Sequence, residues 1–343
     1  MEEAAFVRET RQRRVTFGWR ARASAISEEL MRLGVERAMI VTTPSRAGLA
    51  AEVARLVLDR AGIVYPGAQP NAPTDVTDAA ITAASSVKAD GLVAIGGGTA
   101  IALSKAISLR TGLPQVAVPT TFAGVEGASF VSESERGARI ERPSATVLPK
   151  AAIYDPELFA QLPPSIAGPS AMNAMANALD TFGSSNDAPA AAAALRAISG
   201  AVPRLAATST DATALSEAVY AASLLEIGDW PTTMHARLCQ ALIDAFGLVH
   251  ADVHCVMLPY TAAHRRKVDP VAMRKAAAAM EVDEVPSALY DLVKRVAPGK
   301  SLKGMATKDA LERLCDSLQG EVEPARRAEV LEVLIAAYEG RRP

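Results

Sequence analysis

The sequence predicts an α/β N-terminal dinucleotide-binding domain with a parallel sheet, followed by an all-α C-terminal domain. Three observations predict it. Continuous apolar runs alternate with amphipathic segments through the first half, the pattern of strands covered on both faces by crossover helices. After about residue 165 the grammar changes, and Ala- and Leu-rich segments with helical spacing replace the β-branched runs. The 343 residues are also enough for two cores of ordinary size. We expect an α/β unit over 1–164 and a helical unit over 165–343.

Taken in order, RVTFGW (14–19) is a short β-rich run. The helical stretch SAISEELMRLGV leads into AMIVTT (38–43), and LAAEVARLVLDR leads into AGIVYPGA (61–68). GLVAIGGG (91–98) and PQVAVPTT (114–121) complete the series. SATVLPKAAIYDPELF (144–159) reads as a last extended piece ending in a turn. Beyond it, SAMNAMANALDTF, ATALSEAVYAASLLEIG, MHARLCQALIDAFG, DPVAMRKAAAAME and PARRAEVLEVLIAAYEG read as helices. Pro203, Pro231, Pro259 and Pro286 are expected to punctuate them. The alanine-rich 191–202 is ordinary helix. Ligands commonly bind in the cleft between two such domains, so a cleft site is expected.

Composition narrows the function. Half the residues are apolar and 22% are charged, a globular profile. A net charge of −2 gives no general attraction to nucleic acid or anionic membrane. No apolar run reaches the ~18 residues of a membrane-crossing helix, and MEEAAFVRETRQRR lacks the apolar core of a secretory signal. The expectation is a cytoplasmic protein acting on a small molecule, with neither nucleic acid nor membrane as partner. Cys239, Cys255 and Cys315 form no CxxC pair and read as small buried hydrophobes in a reducing compartment. Of only four histidines, His235, His250 and His254 fall close together. The fourth, His264, opens a basic run, His264-Arg265-Arg266-Lys267, expected to be solvated.

The first chemical signal is glycine. Gly96, Gly97 and Gly98 end one strand and open a helix, so the backbone can approach a ligand with no Cβ in the way, and free N–H groups can face a phosphate. Alone, such a turn is as consistent with a tight connection as with phosphate binding. A second turn after the next strand brings Thr120 and Thr121 to the same sheet edge, where ligands of open parallel sheets sit. Two such ends together favour a dinucleotide. The pattern is neither GxxxxGK[ST] nor GxGxxG. Lys105, two turns into the helix, lies either on the ligand side or in solvent.

With these residues in hand, the chain resembles the iron-containing alcohol dehydrogenase superfamily, and within it the maleylacetate reductases. The resemblance rests on RVTFG, LGVERAMIVTTP, VAIGGGTAIALSKAISLRTGLPQVAVPTTFAG, VLPKAAIYDPELFAQLP, SAMNAMANALD, LCQALIDAFGLVHADVHCVMLPY and AYEGRRP. It implies a homodimer that binds NADH or NADPH. It implies Gly96, Gly97, Gly98, Thr99, Thr120 and Thr121 as cofactor contacts, with Arg139 where relatives carry a lysine near the ribose. Thr42, Thr43 and Pro44 replace the aspartate that many relatives place on the adenine ribose, which leaves NADH and NADPH both open.

The same resemblance locates a metal site and shows its loss. Relatives hold an ion with an aspartate and three histidines; the matching positions here are Asn173, Asn177, Ala236 and His250. Two amides, a methyl and one imidazole make a poor site for zinc or iron, so no metal is expected. His235 adjoins Ala236 but points about 100° away on a helix, and it is not expected to substitute. Asn173, Asn177, Gln240, His250 and His254 are expected to cluster on facing helices. Asn173 and Asn177 read equally as a satisfied buried amide pair and as substrate contacts. Phe122 stands for the usual tyrosine near the substrate, Val125 for a serine, Gly127-Ala128-Ser129 for an MTP-like segment, and no NPxPNPR-like segment is visible between Leu318 and Pro324. The reading is a metal-independent NAD(P)H-dependent reductase of a conjugated or carboxylated carbonyl compound. His254 or His250 would be its proton donor, and Asn173, Asn177 and Gln240 would orient the substrate. The alternatives are a lyase, isomerase or cyclase built in the old cleft, and a catalytically silent binding protein.

Overall fold

The computed structural model describes residues 5–9, 13–182, 188–225, 233–318 and 327–343. The stretch between Leu318 and Pro324, along with Pro231, lies outside them. The chain divides into two compact units, one running to Leu162 and the other beginning at Pro163.

The first unit opens with β1 (Phe6–Glu9), β2 (Arg14–Phe17), α1 (Arg22–Arg32), β3 (Ala38–Val41), α2 (Ala47–Leu56) and β4 (Ala61–Tyr65). It continues with α3 (Thr74–Ser86), β5 (Gly91–Gly96), α4 (Gly98–Thr111) and β6 (Gln115–Pro119). A ribbon, β7 (Phe130–Glu135) and β8 (Ala138–Pro143), precedes β9 (Ala151–Tyr154) and the short α5 (Pro156–Phe159). The main sheet has the order β1-β2-β9-β6-β5-β3-β4, parallel except for the β1–β2 pair. Strands β3, β5, β6 and β9 are buried along their whole length, as continuous apolar runs require. The chain steps outward from β3 to β4 and then crosses back to β5, so the strand order reverses between β3 and β5. Such a reversal opens a crevice at the C-terminal strand ends.

The ribbon was not expected. FVSESE and ARIERP are polar, yet β7 buries alternate residues against α4, and Arg136 and Gly137 turn it with φ of 52° and 81°. Glu133 sits fully buried between Arg110 and Arg142, at 2.5 and 3.0 Å. Covered by the sheet on one side and the ribbon on the other, α4 is buried nearly all round and shows no polar stripe.

The second unit is helical: α6 (Pro164–Thr181), α7 (Ala188–Ala207), α8 (Ala212–Leu224), α9 (Met234–Phe246) and α10 (His250–Val268). Then follow α11 (Pro270–Met280), α12 (Val285–Val296), α13 (Lys308–Ser317) and α14 (Arg327–Glu339). Helix α10 is the centre, packed by α6, α9, α12 and α14 and buried from Val253 to Ala262. Pro203 and Pro259 do not separate helices. They lie inside α7 and α10, where each removes one ladder hydrogen bond that packing on several sides offsets. Pro286 does stand at a helix start, that of α12. No helix among the described residues is long and apolar enough to cross a membrane.

The end of β9 is pinned by Asp155, whose side chain is fully buried. It accepts from the backbone N–H groups of Arg20 and Glu157 at 2.9 and 3.1 Å and from the Arg22 guanidinium at 2.6 Å. Replacing Asp155 with alanine is expected to cost about 3 kcal/mol, because two backbone donors lose their acceptor and the half-buried Arg22 keeps only Glu157 as a partner. Urea unfolding of the variant measures it; a cost below about 1 kcal/mol would refute the assignment.

Candidate active site

The glycine turn stands at the strand-order reversal. Gly96 closes β5 with a φ of +146°, which excludes other residues, and Gly97 then caps α4 with no side-chain partner on the helix start. Thr42, just past β3, donates its hydroxyl to Ile95 O at 2.8 Å, and Thr120 N–H donates to Gly96 O at 2.9 Å. The loop after β6 therefore lies close. A β-carbon on Gly97 would meet Thr121 Oγ1 at 3.0 Å, and one on Gly98 would meet Val125 Cγ2 at 3.0 Å and Ala123 Cβ at 3.3 Å. Gly97, Gly98, Thr99 and Thr121 are partly exposed, while the Thr120 side chain is buried at 1%. The helix start carries roughly half a positive charge and unpaired N–H groups, the features that receive a phosphate.

Lys105 takes neither of its expected places. Its side chain is fully buried, and Nζ donates to Val125 O at 3.0 Å and Ala128 O at 2.5 Å. Burial pushes it down to about 7, against the pull of nearby Glu126. Glu126 accepts from Tyr154 Oη at 2.9 Å, and Arg13 donates to the Glu126 carbonyl at 2.8 Å. The loop that cradles α4 is thus tied down from beneath at Val125, Glu126 and Ala128. Phe122 is also a support residue rather than a lining one. It is 2% exposed and packs on Phe159 with ring centroids 4.6 Å apart. Arg139 lies on β8, where it donates to Ser132 Oγ at 2.7 Å and pairs with Glu141 at 3.1 Å.

In the helical unit, the sequence named His254 but set aside its hydrogen-bond partner, His235. His235 on α9 and His254 on α10 are both buried, with Nε2 of the first 3.0 Å from Nδ1 of the second. The other nitrogen of His235 lies 2.9 Å from Thr261 Oγ1. The ring of exposed His250 lies against His254 at 4.2 Å between centroids. Thus His235 does turn inward, because it lies on the α9 face that packs against α10. Burial, with a smaller contribution from His250, pushes the His235 imidazole down to about 3 and that of His254 well below its usual value.

Asn173 and Asn177 are both buried on α6, at 2% and 6% exposure. Gln240 does not join the histidines; it is partly exposed, and its amide donates along its own helix to Asp244 at 2.8 Å. Asp180, also missed, accepts from Thr233 at 2.8 Å, and burial raises it to about 6. The basic run at the end of α10 is not simply solvated. His264 is 7% exposed and lies 3.7 Å from Glu329, and Arg265 donates to the carbonyls of Leu179 and Phe182.

Among the described residues, one set of donors can surround a metal ion: His235, Cys239 and His254, with ligand atoms within 4.8 Å of one another. Both facing imidazole nitrogens already share a hydrogen bond, and burial holds the Cys239 thiol well above its usual value, away from the thiolate that a metal takes.

His235 makes stability depend on pH. Its folded value, about 3, lies below the unfolded one, so below about 6.5 the unfolded chain binds the extra proton and stability falls on acidification towards 3. Asp180, raised to about 6, acts in the opposite sense over its own range. Wild type should therefore lose stability relative to His235→Gln by about 1.4 kcal/mol per pH unit through this window. Urea unfolding at pH 6.5, 5.5 and 4.5 tests this; parallel curves would contradict it.

Residues 12–156 match the iron-containing alcohol dehydrogenase family model. A maleylacetate reductase from Pseudomonas aeruginosa is 36% identical over 354 residues, covering 98% of this chain and 99% of that one. A maleylacetate reductase crystal structure from Agrobacterium tumefaciens superposes with a TM-score of 0.90 at 30% identity, covering 99% of this chain and 100% of the other. A sulfoacetaldehyde reductase from Bifidobacterium kashiwanohense, solved in complex with NAD+, shares the fold at a TM-score of 0.83 and 20% identity, covering 97% and 99%. With relatives so similar over their full length, the chain belongs to the iron-containing alcohol dehydrogenase family of oxidoreductases, alongside the maleylacetate reductases.

Proposed function

We propose that this enzyme reduces a small conjugated oxo-acid of the maleylacetate type, with NADH or NADPH as hydride donor and without a metal ion. The observation that carries the reading is the glycine turn. Gly97 and Gly98 open α4 at the strand-order reversal, where a β-carbon would crowd Thr121 and Val125, and no side chain caps the helix start, which leaves its N–H groups for a pyrophosphate. Gly96, Gly97, Gly98 and Thr99 would supply the backbone of that site and Thr121 a hydroxyl beside it. Thr120 would hold the edge from its buried position, and Arg139 would approach the ribose from the ribbon. Full-length likeness to reductases favours this reading over a lyase, isomerase or cyclase.

The family's description implies iron, and the residues at the corresponding positions do not fit it. Asn173 and Asn177 offer neutral amides, Ala236 a methyl and His250 one imidazole. None brings the negative charge that offsets a divalent cation. A conjugated acceptor needs less electrophilic help than a simple ketone. A reduced nicotinamide, when bound, would supply the hydride for the conjugated carbon. The chain's own residues then have two tasks: to hold the resulting enolate by hydrogen bonds and to deliver a proton to it. The amides of Asn173 and Asn177 suit the first task, and one imidazole of the His250–His254 pair the second. We further propose that the enzyme works as a homodimer in the cytoplasm.

Chelator-treated protein should bind NADH or NADPH saturably and reduce maleylacetate, followed by nicotinamide fluorescence and absorbance. Gly98→Val should abolish that binding while leaving the far-UV spectrum intact. His250→Ala should lower kcat by about 10²- to 10⁴-fold. A folded protein that binds neither nucleotide would sink the reductase reading. Activity lost to chelator and restored by iron or zinc would sink its metal-free part.

A further inference from the structure

Hydrogen-bond accounting in the buried histidine pair divides the labour between His254 and His250. Thr261 has one hydroxyl proton. Its Oγ1 lies 3.2 Å from Met257 O and 3.1 Å from Leu258 O, carbonyls of its own helix that can only accept. Back-bonding of this kind, common for a helical threonine, directs the proton at them, and Thr261 then meets His235 as an acceptor. Nδ1 of His235, 2.9 Å away, then carries hydrogen. In a neutral imidazole the other nitrogen is bare, so Nε2 of His235 accepts. Nδ1 of His254, 3.0 Å from it, must in turn be the donor. The chain of single directions ends at Nε2 of His254, which is left with a lone pair and no hydrogen.

From this geometry we infer that Thr261 and His235 lock His254 as its neutral Nδ1–H tautomer. His254 is thereby excluded as the proton donor, which assigns that role to the exposed imidazole of His250 packed against it. This rests on the reductase reading for the chemistry, though not for the tautomer. A bare Nε2 has nothing to give an enolate. His250, at the start of α10, has the ring that touches both His254 and solvent, and it can recover from water the proton it delivers. Thr261 and His235 act at a distance, by fixing which nitrogen of His254 is bare.

The test is direct, because the chain has only four histidines. Long-range ¹H–¹⁵N correlation spectra of the histidine-labelled full chain at pH 7 distinguish the two tautomers, with His→Gln variants giving the assignments. His235 and His254 should both show the Nδ1–H signature. Thr261→Val, which removes the acceptor, should shift His254 towards a mixture or the other tautomer, and Thr261→Ser should restore the wild-type pattern. An Nε2–H signature at His254 in wild type overturns the inference, as does a Thr261→Val spectrum unchanged from wild type. So does stoichiometric zinc in the purified protein that is lost in His254→Gln. With maleylacetate and NADH, His250→Gln should reduce kcat at least 100-fold while leaving the His254 signature in place; wild-type kcat there overturns the donor assignment. If no conjugated oxo-acid is reduced by wild type, the reductase reading and the donor role fall together, while the spectra still decide the tautomer.

Discussion

The candidate cofactor turn depends on one close approach, that of the start of α4 to the loop after β6. Two glycines make it possible, because a single β-carbon at Gly97 or Gly98 would stand about 3 Å from Thr121 or Val125. The same helix then secures the loop it touches. Two turns further on, Lys105 reaches back under the loop to the carbonyls of Val125 and Ala128. Burying an ammonium is costly, several kcal/mol in an apolar interior. Two carbonyls and the neighbouring Glu126 offset part of that cost. Arg13 and Tyr154 complete the tie from the sheet side. Sheet, helix and loop are therefore one cooperative object, and the exposed N–H groups at its edge inherit its rigidity.

The helical unit solves a different problem. Its central helix is buried along most of its length and still carries polar side chains. Buried polar groups need partners, and here they are met by two separate sets of bonds. Thr233 caps α9 and donates to Asp180 on α6. Thr261 on α10 serves His235 on α9, which serves His254 back on α10. Each link crosses a helix–helix contact, so the network fixes the register of the helices as well as the protonation of its members.

Most of the architecture was legible because it is written in apolar periodicity. The strands at 38–41, 91–96 and 115–119 are unbroken apolar runs, and the glycine turn announced itself. The ribbon at 130–143 was not legible, since β7 buries only Val131 and Glu133 and β8 buries no residue; Arg136-Gly137 was the one local cue. Lys105 was read as solvated or ligand-facing because burial of a lysine is decided by a ribbon that the sequence did not reveal. His235 was set aside on helical geometry relative to Ala236, although the useful question was which face of α9 meets α10. Its i, i+4 partner Cys239, an apolar-leaning residue, marked that face as the buried one. Pro203 and Pro259 misled in the other direction, because tertiary packing overrode a local rule.

A lysine held near 7 and sealed from water has a practical meaning of its own. Burial favours the uncharged amine of Lys105, and amines are what acylating reagents attack. No reagent reaches it while the loop is closed, since the side chain is fully buried. Modification at this position therefore counts the moments when α4 and its loop part, and the enzyme carries a built-in clock for the breathing of the turn. Any ligand that settles on the glycines would slow that clock, without having to be turned over.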